Sequence, residues 1–150
     1  MATFSGMYFN NLDSKGRLII PAPFREILSK NYSQRLIVVI DALDPCLLAY
    51  PQQQWEQHLE KLNSLPQYNK NIRFYMRKVV ASATACDIDK QGRILVPAAL
   101  RKNSHLKTET VIAGQGTKLE IWDKQQWDKV TSPEMINEEE FIQDMENFNL

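Results

Sequence analysis

Two matched sets of residues carry most of the chemistry in this chain: Asp13-Ser-Lys-Gly-Arg17 and Asp89-Lys-Gln-Gly-Arg93. In each, the glycine is free to take positive φ, so an Asp-x-x-Gly turn reverses the chain and brings a carboxylate beside a guanidinium. Arginine offers a planar, permanently charged fork that grips a phosphate or a guanine edge through parallel hydrogen bonds. The aspartate, by capping the turn and pairing with the arginine, holds the hairpin in shape and orients that fork. Acid–base catalysis by Asp13 and Asp89 is disfavoured, because an adjacent arginine keeps each carboxyl ionised.

The remaining reactive residues are scattered. Cys46 and Cys86 form no Cys-x-x-Cys pair and have no histidine at ligand spacing, so both read as small buried hydrophobes. His58 and His105 are isolated, and no Ser-His-Asp set or Gly-Lys-Ser/Thr phosphate loop is present. No metal, cofactor or small-molecule ligand is expected. Gly114-Gln-Gly116 reads as a hairpin turn.

The two sets belong to an internal repeat. Residues 13–25 match residues 89–101 at an offset of 76, with Asp, Gly, Arg, Pro, Ala and a final arginine, Arg25 or Arg101, coinciding. The match resumes at an offset of 72, where Leu47 to Trp55 lies against Leu119 to Trp127. Each copy reads as a strand, the turn, a buried strand (18–20 or 94–96), a proline-opened helix and two further strands. Phe24, Ile27 and Leu28 form the helix's apolar stripe. Arg25 and Arg101 are expected in salt bridges at the rim of the core.

A unit of this size cannot bury enough surface alone, so the two should interleave. The expected fold class is α+β, with tandem units forming a pseudo-two-fold β-rich core. The units span 7–54 and 83–126, with a helical connector at 55–82 and an acidic helical tail at 127–150. Within the connector, Trp55, Leu59 and Leu62 mark one helix, and Tyr68, Ile72, Met76 and Val79 a second. Lys70, Arg73 and Arg77 form a basic stripe on the second, read as a solvated face. Phe141, Met145 and Phe148 give the tail an apolar face suited to a neighbouring subunit.

Composition narrows the class further. The 150 residues are 43% hydrophobic and 24% charged, ordinary for a soluble globular protein. No apolar run approaches the roughly 18 residues of a membrane span. The first ten residues lack the basic and apolar regions of a secretory signal, so a cytoplasmic protein is expected. The zero net charge conceals a polarity: residues 1–130 carry +6 and residues 131–150 carry −6. A mildly basic body with an acidic tail suits a phosphate-binding surface.

On the residues alone, DNA binding leads, an interaction scaffold follows, and an enzyme comes last. At the two Asp-x-x-Gly-Arg sets the sequence resembles the MraZ family of bacterial transcriptional regulators, marked by two Asp-x-x-x-Arg motifs in tandem SpoVT-AbrB, or swapped-hairpin, domains. The likeness extends through Pro-Cys-Leu-Leu-Ala-Tyr-Pro at 45–51 and Leu-Glu-Ile-Trp-Asp at 119–123. It implies a cytoplasmic, nucleoid-associated protein that binds double-stranded DNA at short direct repeats upstream of the division and cell-wall gene cluster. It also implies self-assembly into a closed ring.

Carried over by position, Arg17 and Arg93 are the DNA-contacting candidates, oriented by Asp13 and Asp89. Lys15 and Lys90 are further candidates at non-equivalent positions, opposite Gln91 and Ser14 respectively. Arg25 and Arg101 join them from the repeat alignment. The alternatives are an antitoxin-like or scaffold protein of the same fold, acting through protein contacts, and a hydrolase or transferase using the Asp–Arg pairs.

Overall fold

Strand β1 (Met7–Asn11) runs into the first Asp-x-x-Gly-Arg turn, and β2 (Arg17–Ile19) leaves it. The chain continues through α1 (Ala22–Asn31), β3 (Arg35–Ile40), β4 (Leu47–Pro51) and α2 (Gln52–Asn63), then α3 (Lys70–Lys78). The second copy supplies β5 (Thr84–Asp87), β6 (Arg93–Leu95), α4 (Ala98–Asn103), β7 (Glu109–Gln115), β8 (Lys118–Asp123) and α5 (Lys124–Val130). Helix α6 (Glu138–Asn147) closes the chain. The structure is a computed structural model and describes residues 3–150.

The units interleave by exchanging strands. One antiparallel sheet has the order β1-β7-β8-β4-β3-β5, and β2 pairs with β6 in a separate two-stranded ribbon. Each copy's first strand thus pairs with the other copy's third, as in Tyr8 opposite Ile112 and Thr84 opposite Val38. A pseudo-two-fold axis passes between Leu48 and Glu120, equivalent residues that face each other, and between Leu18 and Ile94, which do the same in the ribbon. The offset falls from 76 at the ribbon to 74 at β3 and β7, where Val38 matches Ile112, and then to 72. The length change is therefore divided between the helix and loop ahead of β3 or β7 and the turn that follows that strand.

The six-stranded sheet is covered on both faces, which is why β3 reads as an unbroken aliphatic run. Leu36 and Val38 enter one core with Leu18, Ile20, Phe24, Ile94, Val96 and Leu100, beneath the ribbon and helices α1 and α4. Ile37 and Val39 enter the other with Trp55, Val79 and Trp122, beneath the connector and α5. Phe4, ahead of the first unit as drawn from the sequence, also lies in the first core, its ring edge-on to Phe24 at 5.7 Å.

That N-terminal segment alters the reading of Gly114. Strand β7 continues through Gln115, which pairs with Lys118, so the turn lies at Gly116, with φ +74°, and Thr117. Gly114 is a strand residue crossed closely by the N-terminal segment; a Cβ there would sit 2.6 Å from the backbone nitrogen of Ser5. The glycine is needed for close approach rather than for reversal.

In the connector, Asn69 caps α3 by accepting from the N–H groups of Asn71 and Ile72. Tyr68 therefore precedes the helix and is exposed, whereas Val79 is buried as its spacing suggested. Helix α5 is the repeat's counterpart of α2, capped by the buried Asp123 where α2 follows Pro51. Helix α6 buries none of its residues and leaves Phe141 and Ile142 exposed. Alternate ribbon residues should respond differently to truncation. Leu18→Ala is expected to cost about 2–5 kcal/mol, and the exposed Ile19→Ala about 0.5 kcal/mol or less, measured by urea denaturation.

Candidate nucleic-acid interface

The two hairpin tips have matching hydrogen bonds. Asp13 Oδ1 accepts from the backbone N–H groups of Lys15 and Arg17, both at 2.9 Å, while Oδ2 accepts from Arg17 Nε at 2.6 Å. Asp89 does the same with Gln91, Arg93 and Arg93 Nε, at 2.9, 2.9 and 3.0 Å. Gly16 and Gly92 take φ of 85° and 81°, the left-handed conformation the turn requires. The backbone N–H of Arg17, opposed by partial desolvation and helped by the guanidinium and Lys15 N–H, lowers the Asp13 carboxyl to about 2. Asp89 is lowered by the corresponding contacts, led by the Arg93 N–H.

Each aspartate engages its arginine through Nε, so the fork is held by its root. Among the described residues, the terminal nitrogens of Arg17 and Arg93 have no hydrogen-bonding partner. Leu18 and Ile94 point into the core, which turns Arg17, Ile19, Arg93 and Leu95 to the opposite face of the ribbon. The cross-strand pairs are Arg17 with Leu95 and Ile19 with Arg93, placing the two arginines diagonally. Ile19 and Leu95 are 46% and 59% exposed, so this outer face is apolar as well as cationic. A two-stranded ribbon is one of the elements that the major groove of B-DNA admits.

The other predicted residues fall into two groups. Lys15 and Lys90 are exposed at the tips. Arg25 and Arg101 form no rim salt bridges: among the described residues, neither has a carboxylate within ion-pair distance. Each instead crosses to the opposite unit and covers its glycine. A Cβ on Gly16 would lie 2.6 Å from Arg101 Cζ, and one on Gly92 2.6 Å from Arg25 Cζ. Strand exchange delivers each helix to the other copy's turn, so the guanidinium meets backbone rather than an acid. Both Nε atoms are buried without a hydrogen-bond partner.

Two residues missed in the sequence brace the ribbon. Asn10 Nδ2 donates to the carbonyl of Ile19 at 2.8 Å, and its repeat counterpart Cys86 donates through Sγ to that of Leu95 at 3.5 Å. Amide and thiol thus occupy one structural role, which the 76-residue offset exposes only once strand partners are known. Burial, with Asp87 nearby, pushes the Cys86 thiol up to about 11, so it stays protonated. His58 is also structural: it stacks on Tyr50, shares a 2.8 Å hydrogen bond with the Tyr75 hydroxyl, and is depressed by burial. Among the described residues, no group of three His, Cys, Asp or Glu side chains is placed to hold a metal ion. No helix there is long and apolar enough to cross a membrane.

The interleaved sheet, the shared ribbon and the two pinned arginines define a tandem swapped-hairpin protein, a pseudo-dimer within one chain. The chain belongs to the MraZ family, whose model, described as "MraZ protein, putative antitoxin-like", matches it at residues 3–78 and again at 79–148. Among similar proteins, a transcriptional regulator MraZ of Desulforamulus reducens is 45% identical over 126 residues, 84% of this chain and 85% of its own. Those of Caldanaerobacter subterraneus subsp. tengcongensis and Pediococcus pentosaceus are 38% and 40% identical, each covering at least 97% of both chains. The family is one of regulators and not of enzymes, in keeping with the ionised, arginine-bound aspartates.

The depressed carboxyls fix a sign for acid stability. A carboxyl lowered on folding contributes stability above its unfolded value of 3.8, and loses it as pH falls through the folded value, about 2 for Asp13. Between those values Asp13→Asn should flatten the fall in melting temperature relative to the native protein, checked by thermal melts across this range.

Proposed function

We propose that this protein is a DNA-binding transcriptional regulator whose β2–β6 ribbon enters the major groove and reads base edges with Arg17 and Arg93. The observation that carries this reading is the manner of attachment: Asp13 and Asp89 each hold Nε, leaving the two Nη groups for a guanine O6 and N7. The forks are preorganised by the hairpin, so little side-chain entropy is lost on binding. Lys15 and Lys90 at the tips contact the backbone, and Arg25 and Arg101 support the hairpins from behind.

The sites are short direct repeats upstream of the division and cell-wall gene cluster, and the protein works in the cytoplasm at the nucleoid. Several subunits in a closed ring engage successive repeats, so avidity supplies what one ribbon with a modest charge excess lacks. Helix α6, which buries none of its residues and leaves Phe141 and Ile142 exposed, with Phe148 exposed just beyond its end, supports such self-association. Light scattering is expected to give a mass several times the 17.4 kDa of one chain; a monomer at micromolar concentration overturns the ring.

The reading is tested by fluorescence anisotropy with duplex DNA from upstream of the protein's own gene and a scrambled control. Arg17→Ala and Arg93→Ala should each lose about 1–3 kcal/mol of discrimination, and Arg17→Lys should not restore it because an ammonium cannot make the paired contact. Equal binding to both duplexes, indifferent to either substitution, would favour the scaffold reading.

A further inference from the structure

Between each hairpin tip and the helix delivered by the opposite unit lies an open cleft. At the first tip, Asp13 and Ser14 face Arg101, Lys102, His105 and Lys107 across about 560 Å³. At the second, Asp89 and Lys90 face Arg25, Glu26, Ser29 and Gln34. The two clefts are related by the repeat, yet their charges differ. The first holds Arg101, Lys102 and Lys107 against Asp13, whereas the second balances Arg25 and Lys90 against Glu26 and Asp89.

The difference centres on one equivalent position of the repeat, Glu26 in α1 and Lys102 in α4. Glu26 is already paired with Lys30 at 2.8 Å, while Lys102 has no ion-pair partner among the described residues. Further contacts fix the shape of the first cleft. Lys107 is held by its backbone N–H, which donates to Asp123 Oδ1 at 3.2 Å. His105 ends α4 in the left-handed conformation, φ 56°, a position commonly taken by glycine. Asp13 is committed to its own hairpin and Arg17, so the anionic side of this cleft is already satisfied.

We infer that Lys102 and Lys107, which line the cleft at the first hairpin, seat a DNA-backbone phosphate, that the counterpart cleft does not, and that each subunit therefore lies on its site in a single direction. This rests on the ribbon reading for the placement of DNA beside the tips. The ribbon itself is nearly symmetric about Leu18 and Ile94, and so presents two similar forks in either orientation. Phosphate contacts fix register and orientation without reading sequence. A seat on one side only breaks the degeneracy.

Two measurements test it on the full-length protein, with promoter and scrambled duplexes as probes. Lys102→Glu should lower the log–log salt slope by about one, equally on both duplexes, and Glu26→Lys should raise it by about one. For direction, an iron chelate on Asn103→Cys, an exposed α4 site, should cleave on one flank of each bound site; Cys46 and Cys86 are buried and escape labelling. Combining Lys102→Glu with Glu26→Lys preserves net charge and should shift the cuts towards the other flank. Cuts on both flanks in the parent, or cuts that stay in place in the exchanged protein, overturn the assigned direction. Unchanged salt slopes with sequence preference intact overturn the cleft alone. Altered slopes without any sequence preference overturn the ribbon reading and leave the phosphate seat standing.

Discussion

Two backbone hydrogen bonds fasten each hairpin turn to the strand that leaves the other: Ile20 N–H to the carbonyl of Gly92, and Val96 N–H to that of Gly16. The turn closes through its own bonds, Gly16 N–H to the carbonyl of Asp13 and Gly92 N–H to that of Asp89, and the opposite unit then fixes where it points. The aspartate then completes the turn from within, and the arginine from the partner helix lies over its glycine. Three levels of structure, from the left-handed glycine to the interleaved sheet, converge on the position of a single guanidinium.

Ribbon alternation separates a packed face from an exposed one within the same three residues. Leu18 and Ile94 sit on the pseudo-axis in the core, and their neighbours on either side turn outward. The outer face can therefore vary in chemistry at little cost to the fold, while the inner face is fixed by packing. Asn10 and Cys86 show how loosely even a bracing contact is specified: an amide and a thiol serve the equivalent carbonyls.

Much of this arrangement is legible in the sequence because it rests on local physics. The Asp-x-x-Gly-Arg turns, the proline-opened helices and the buried strands follow from φ preference and hydrophobic pattern, and the repeat reveals that each of these occurs twice. What is not legible follows from strand exchange. Arg25 and Arg101 look like rim residues of their own units, but the crossing sends each to the other unit's glycine. Gly114 has the appearance of a turn residue; its function depends on Phe4 and Ser5, more than a hundred positions away. Phe4 itself carries no periodic pattern, since a single aromatic that closes a core leaves no repeat to detect.

Fusing the two copies in one chain has a consequence that a homodimer of single units could not share. In a true dimer every substitution appears on both sides of the axis, so the two hairpins remain identical. Here the copies drift apart while the central pairs, Leu18 with Ile94 and Leu48 with Glu120, keep the frame aligned. The helix ends and loops absorb the change in length, and the exposed helix faces absorb the change in charge, from Glu26 to Lys102. Symmetry is therefore enforced where packing demands it and relaxed where solvent permits, and on that relaxed surface a folded pseudo-dimer can acquire a direction.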